Sequence, residues 1–172
     1  MSTSFSFGSF NWVCNSVPLS VCPLTAGRID NIEPQCYARN INIGNLLVFQ
    51  PATLVVIIVA VIMTAIMIYH IKTKYTAVGR KEMVIFFYMY FVTIIIEFFV
   101  ISGIIQFASK PYPYFVAIHI GLIVSTLWCL VLNGFVGFQW IEDGSRLSLW
   151  SIRLSSLVVF LITFFISIGT FK

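Results

Sequence analysis

One acidic residue lies inside a long apolar stretch of the chain, in the segment TIIIEFFV. This residue is Glu97, and Tyr90 and Thr93 precede it by seven and four residues, a spacing that groups the three on one side of a helix. A carboxyl group in lipid is costly and usually faces a helix bundle or a partner. Three interpretations are open: a proton or ion relay, a contact to a partner's transmembrane helix, or a hydrogen-bonded carboxyl that stabilises the bundle.

A second row has a small or polar residue at every fourth position. Its members are Ala117, Gly121, Ser125, Cys129, Asn133 and Gly137. A spacing of four advances about 40° per step around an α-helix, so the row winds around its helix. Small residues let two helix backbones approach closely in a membrane. Packing within the chain is the first interpretation of this small-residue row, and docking of a separate membrane protein is the alternative.

Sequence patterns typical of catalysis are absent: there is no nucleophile elbow, P-loop or HExxH motif. Glu142, Asp143 and Arg146 resemble an acid–base cluster, but charges in a turn beside a membrane span commonly serve only to keep the turn hydrated. The two histidines, His70 and His119, lie far along the chain from the N-terminal cysteines, which disfavours a zinc site. We therefore predict a protein that is not an enzyme and has no metal and no cofactor.

The composition indicates where these residues must lie. Of the 172 residues, 59% are hydrophobic and 9% are charged, whereas soluble domains average about 25% charged residues. Such a chain cannot cover a water-soluble fold with polar surface, so it belongs in a lipid bilayer. The net charge of +4 comes from scattered basic residues without a basic stripe or an aromatic platform, which disfavours nucleic-acid binding.

Four apolar runs are long enough to cross a bilayer, at about 46–69, 83–107, 114–140 and 149–171. Helices are predicted although many residues are β-branched, because backbone groups in lipid must bond within their own segment. The expected fold is an all-α integral membrane protein with a bundle of four transmembrane helices over residues 46–172. A polar, cysteine-containing segment over residues 1–45 precedes it.

The basic residues predict the orientation of the chain. The first connection holds Lys72, Lys74, Arg80 and Lys81, whereas the second holds only Lys110. By the positive-inside rule the first connection faces the cytosol, and the N-terminal segment is lumenal. A role for this basic cluster in binding anionic lipid or a partner is a further hypothesis.

The lumenal placement puts Cys14, Cys22 and Cys36 in an oxidising compartment, where a disulfide is expected. Three cysteines leave one unpaired, and the sequence leaves the pairing open. No basic region precedes a short apolar core near Met1, so we expect no cleavable signal peptide, and the first span should direct insertion.

Several stretches, in order along the chain, resemble the fungal chitin synthase export chaperone family. They are CYARNINIGN (36–45), KYTAVGRKE (74–82), FFYMY (86–90), PYPYFVAIHIGL (111–122), NGFVGFQWIEDGS (133–145) and TFK (170–172). Members of this family are polytopic proteins of the endoplasmic reticulum (ER) that help a chitin synthase fold, leave the ER and reach the cell surface. The resemblance implies that client, no agreed catalytic residues, and about three further spans after the position of Lys172.

The predicted function is therefore a non-enzymatic membrane chaperone or accessory subunit of a chitin synthase. The predicted location is the ER membrane, and the plasma membrane with the client is also allowed. The predicted partners are the synthase and the lipid bilayer, with a second copy of the chain left open. The candidate partner-binding residues are Glu97, Tyr90, Gly121, Ser125, Cys129, Asn133 and Gly137. The alternatives are a transporter or channel component lined by Glu97, Asn133 and Tyr90, and an intramembrane lipid-modifying enzyme.

Overall fold

Six helices and one β-hairpin make up the described part of the chain. The computed structural model describes residues 11–17, 19–25, 40–43, 46–48, 50–75, 79–105, 109–138, 142 and 144–171. The elements are α1 (Asn11–Ser16), α2 (Cys22–Thr25), β1 (Ile41–Ile43), β2 (Leu46–Val48), α3 (Pro51–Thr73), α4 (Arg80–Ile101), α5 (Tyr112–Gly137) and α6 (Arg146–Phe171). The last four helices are each long and apolar enough to span a membrane, which confirms the predicted four-helix membrane fold.

The first span begins later than the apolar run suggested. Residues Leu46–Val48 pair antiparallel with Ile41–Ile43. The predicted start of the first span is therefore a strand, and its hairpin partner belongs to the predicted N-terminal segment 1–45. Gln50 adopts a positive φ of 44° and donates its N–H to the Asn40 side-chain oxygen at 3.1 Å. Pro51 then opens α3, where its missing N–H costs nothing.

The other helix ends also differ from the predicted ones. Helix α4 begins at Arg80 rather than at 83, directly after Gly79 with φ 68°, and it ends at Ile101 rather than near 107. Glu97 therefore lies about 6 Å along the axis from the end of its helix, closer to that end than the sequence indicated. Helix α5 begins and ends slightly before the predicted span, and α6 begins at Arg146 instead of 149.

The long helices pack in chain order. Helix α4 lies against both α3 and α5, and the most extensive contact joins α5 to α6. One buried cluster of Val100, Tyr112 and Val116 lies where α4 ends and α5 begins. A second cluster joins Cys129 and Val136 to Ile152 near the opposite end. Among the described residues, many large apolar side chains are exposed on the outside of the bundle, as expected where lipid is the solvent.

The N-terminal segment is fastened to one end of the bundle. A disulfide joins Cys14 to Cys22, and the Tyr112 hydroxyl donates to the Ser20 carbonyl at 2.8 Å. Val21 and Leu24 pack against the buried cluster that contains Tyr112. Cys36, the third candidate for pairing, lies outside the described residues. The disulfide closes a loop within the segment, and the contacts of Ser20, Val21 and Leu24 hold that loop at the end of the bundle opposite the basic first connection.

We expect Cys14 and Cys22 to resist maleimide labelling until the denatured protein is reduced. The free thiol of Cys129 serves as the internal control, since it should be labelled in the denatured protein with or without reductant. Replacing both bridged cysteines with serine should lower the stability of the N-terminal segment by about 2–3 kcal/mol, because the crosslink limits the unfolded chain. Tags on Cys14 and Cys22 before reduction, mapped by peptide mass spectrometry, would contradict this pairing.

Candidate partner-binding surface

Tyr90 and Glu97 lie on one face of α4. Seven residues advance about 700° around the helix, so the two side chains are only about 20° apart. Tyr90 is 36% exposed and its ring stacks on that of Phe86 at 6.3 Å. Glu97 is half-buried. Tyr90 and Glu97 therefore share one face of α4, on which Tyr90 is exposed and Glu97 is partly accessible.

Thr93, the third member of that predicted face, serves the inside of the bundle. It lies about 60° around the helix from Tyr90 and is buried. Its hydroxyl donates to the Met89 carbonyl at 2.9 Å and lies 3.2 Å from the Thr126 hydroxyl. Since a hydroxyl has a single proton, Thr126 is the donor in the second bond. Thr93 therefore connects α4 to α5 and is not available to a partner.

The carboxyl group of Glu97 has a different environment. Within the described part of the chain, no hydrogen bond or ion pair reaches it. An acidic side chain within a membrane span normally pairs with another polar group or faces a water-filled space. The described bundle supplies no such pair, which leaves the carboxyl available to a donor from outside these residues.

The first half of the small-residue row forms the contact between α5 and α6. A Cβ on Gly121 would lie 3.0 Å from two Phe160 ring carbons and 3.4 Å from the Phe160 carbonyl oxygen. One turn later, the buried Ser125 hydroxyl donates to the Ser156 carbonyl at 2.7 Å. Cys129 is fully buried next to Ile152. These residues pack within the chain, so their role in binding a partner remains a prediction.

The second half of the small-residue row, Asn133 and Gly137, lies outside the contact between α5 and α6. The Asn133 side-chain amide is partly buried and donates to the Cys129 carbonyl of its own helix at 2.8 Å. Gly137 is exposed, and a Cβ placed on it would touch nothing within 4 Å. This change follows from the winding of the row, which turns about 160° between Gly121 and Gly137. Only the end of the row therefore lies on the surface of the bundle.

Glu82, the acidic residue that ends the stretch KYTAVGRKE, is an important residue that the sequence did not single out. Its side chain is 0% exposed at the start of α4. One carboxyl oxygen accepts the Gly144 N–H at 2.6 Å and the Ser148 hydroxyl at 3.0 Å. Gly144 has φ 66°, a conformation that glycine adopts readily. Glu82 thus fastens the turn before α6, and the first turn of α6, to α4.

The start of α6 is capped in the same place. Ser145 accepts the Ser148 N–H on its hydroxyl oxygen at 3.1 Å, which is the usual bond of an N-cap residue. The lone acid among four basic residues was the only sequence signal for Glu82, because its partners lie more than 60 positions away.

Among the described residues, no three His, Cys, Asp or Glu side chains are grouped to hold a metal ion.

Comparison with known proteins gives one consistent family. The family model described as chitin synthase export chaperone matches residues 6–172. A curated chitin synthase export chaperone from Cryptococcus neoformans is 49% identical over 169 residues, covering 98% of this chain and 46% of the relative. A second curated chitin synthase export chaperone, from Fusarium oxysporum, is 47% identical over 171 residues, covering 96% of this chain and 51% of the relative. The chain spans about half the length of the curated relatives it matches. No solved structure gives a match.

Proposed function

Because the chain belongs to the chitin synthase export chaperone family, we propose that the full-length protein is a membrane chaperone or accessory subunit of a chitin synthase. It packs against the synthase and supports its folding, its export from the ER and its delivery to the cell surface. The observation that carries this proposal is the family match over residues 6–172. The family match also confirms the resemblance found in the sequence.

The proposed mechanism is helix packing without catalysis. Four helices that can span a membrane give the chain a large apolar surface for this packing. None of its residues has a catalytic role in this mechanism. The protein lies in the ER membrane with the basic first connection in the cytosol and the disulfide-linked segment in the lumen. This orientation is supported by the positive-inside rule and by the oxidising environment that a disulfide needs.

The Tyr90–Glu97 pair is the proposed contact for the client. Both side chains lie on one face of α4, where Tyr90 is exposed and Glu97 is half-buried, and Glu97 has no partner among the described residues. A polar group on a client helix is costly in lipid until another polar group satisfies it. Glu97 supplies a carboxyl group and Tyr90 a hydroxyl group for that purpose. The chaperone thereby shields polar positions of an incompletely assembled synthase.

We expect Glu97→Leu to reduce delivery of the synthase to the cell surface several-fold while the chaperone remains at normal abundance. The change removes the carboxyl without opening a contact in the described bundle. The measurement is the surface fraction of a tagged synthase in cells whose sole copy of the chaperone carries the substitution. Gly121→Leu is unsuitable for this assay because Gly121 packs against Phe160 within the chain.

Phe99→Leu is the matched control, since Phe99 is an exposed residue of the same helix and the new side chain is the same. Its synthase delivery should equal that of the unmodified protein. Normal delivery with Glu97→Leu at normal chaperone abundance would reject the Glu97 contact. Self-association lost in Glu97→Leu, with the synthase contact intact, would instead assign this face to a second copy of the chain.

A further inference from the structure

A basic cavity lies at the end of the bundle that carries the first connection. It has a volume of about 340 Å³, which is within the usual range for ligand pockets, about 300–1,000 Å³. Four cationic side chains line it: Lys72 from α3, Arg80 and Lys81 from α4, and Arg153 from α6. Among the described residues, no acidic side chain lines it. The fold therefore gathers cations from three helices around one space.

Two of these cations are held in place by the chain itself. The Lys72 ammonium donates to the Tyr88 hydroxyl at 2.5 Å. One terminal nitrogen of Arg80 donates to the Lys72 and Lys74 carbonyls at 3.3 and 3.2 Å. Since an arginine has five N–H donors, the rest of the Arg80 guanidinium remains available to an anion. These bonds fix the positions of two positive charges without neutralising either.

The other two cations are free to bind. Within the described residues, no hydrogen bond or ion pair engages Lys81 or Arg153, and both side chains are exposed. Glu82 follows Lys81 directly, but its bonded oxygen points to Gly144 and Ser148. By fastening the start of α6 to α4, Glu82 brings Arg153 to the same cavity as Lys81. The excess of positive charge in the cavity is thus built by the fold.

The remaining lining is apolar. Val84, Ile85 and Leu149 contribute aliphatic side chains, and Tyr88 contributes its ring. A free phosphate ion gains nothing from such a wall, whereas the glycerol backbone and first acyl carbons of a lipid do. The cavity also lies at the ends of helices that can span a membrane, where lipid headgroups are found.

We propose that this cavity binds the headgroup of an anionic phospholipid with a terminal phosphate monoester. Such a group carries about −1.5 to −2 charges at neutral pH and several acceptor oxygens, which suits multiple cations better than a zwitterionic headgroup does. Lys81 and Arg153 contact the phosphate oxygens, and Lys72 and Arg80 add fixed positive charge. The apolar wall contacts the glycerol and the first part of one acyl chain.

The test is native mass spectrometry of the purified full-length protein in delipidating detergent, titrated with three probes. These are dioleoyl phosphatidic acid, dioleoyl phosphatidylcholine and inorganic phosphate. We expect one phosphatidic acid to bind per chain, and neither phosphatidylcholine nor inorganic phosphate to bind comparably. Lys81→Gln and Arg153→Gln should each weaken phosphatidic acid binding roughly fivefold, because each removes one cation near the headgroup.

Arg146→Gln is the matched control, since Arg146 is an exposed cation at the start of α6 that does not line the cavity. It should leave binding unchanged. Thermal unfolding without lipid checks that the variants fold. If Arg153→Gln fails to fold, Lys81→Gln still tests the proposal. Equal binding of phosphatidylcholine, or equal weakening by Arg146→Gln, would overturn the proposal. If inorganic phosphate bound as tightly as phosphatidic acid, the proposal that the bound phosphate belongs to a lipid would be rejected.

Discussion

Replacing Glu82 with leucine is expected to destabilise the purified protein by about 3–4 kcal/mol. Glu82 is fully buried, and one of its oxygens accepts bonds from both Gly144 and Ser148. Bonds to a charged group contribute about 1.5–3 kcal/mol each, and their loss also leaves a backbone N–H and a hydroxyl without an acceptor. Leucine offsets part of this loss, because it removes the second Glu82 oxygen, which is buried without a partner among the described residues. The turn before α6 would then detach from α4. The measurement is the free energy of unfolding in detergent.

Two variants show whether the effect comes from these bonds. Glu142→Gln changes an exposed carboxylate in the same turn and should alter the stability by less than about 0.5 kcal/mol. Ser148→Ala should cost about 1–2 kcal/mol alone and much less when Glu82 is already leucine, because the two residues share one bond. Equal stability of Glu82→Leu and Glu142→Gln would contradict the described role of Glu82.

The second large effect is expected for Gly121→Leu at the contact between α5 and α6. A Cβ alone would already lie 3.0 Å from Phe160 ring carbons, and leucine adds three further carbons in the direction of α6. Overpacking of this kind costs about 1–3 kcal/mol, and the nearby Phe160 carbonyl places this site at the upper end. Thermal unfolding in detergent, followed by tryptophan fluorescence, measures the loss.

Gly134→Leu is the control for this prediction. Gly134 lies on the same helix, and a Cβ there would touch nothing within 4 Å. Its substitution should not reduce stability by more than about 0.5 kcal/mol. Gly121→Ala should be tolerated better than Gly121→Leu, since the Phe160 ring atoms need to move only a few tenths of an ångström. A Gly121→Leu protein as stable as Gly134→Leu would contradict the close packing of α5 on α6.

Apolar length and spacing in the sequence were sufficient to predict the main elements. Uninterrupted runs of about 20 apolar residues predict membrane helices because no other open structure satisfies the backbone in lipid. The winding of the small-residue row was also predictable, and it explains why Gly121 is packed while Gly137 is exposed. These features depend on neighbouring positions along one helix.

Features that depend on distant positions were not predictable. Leu46–Val48 reads as part of an apolar run, and only its pairing with Ile41–Ile43 makes it a strand. The burial of Glu82 could not be predicted because its partners, Gly144 and Ser148, are remote in sequence. The same fastening brings Arg153 to the basic cluster of the first connection. The cavity therefore becomes visible only when the helices are packed.

The basic cavity and the Tyr90–Glu97 pair lie on different sides of α4, since Tyr88, which lines the cavity, and Tyr90 point about 160° apart around the helix. Lys81 and Tyr88 lie in the first part of the helix, whereas Glu97 lies about 6 Å from its end. Binding of a lipid phosphate and binding of a client helix can therefore be separated by mutation. Arg153→Gln should leave synthase co-purification intact, and Glu97→Leu should leave phosphatidic acid binding intact.

The proposed function requires the full-length protein to associate with a chitin synthase in the membrane. The most direct measurement is a mild-detergent pull-down of the tagged full-length protein from fungal membranes, with the co-purifying proteins quantified by mass spectrometry. We expect a chitin synthase to be the most abundant membrane enzyme recovered, and we expect Glu97→Leu, but not Phe99→Leu, to deplete it. Recovery of a different membrane enzyme, with no chitin synthase above the level of an untagged control, would contradict the proposed function.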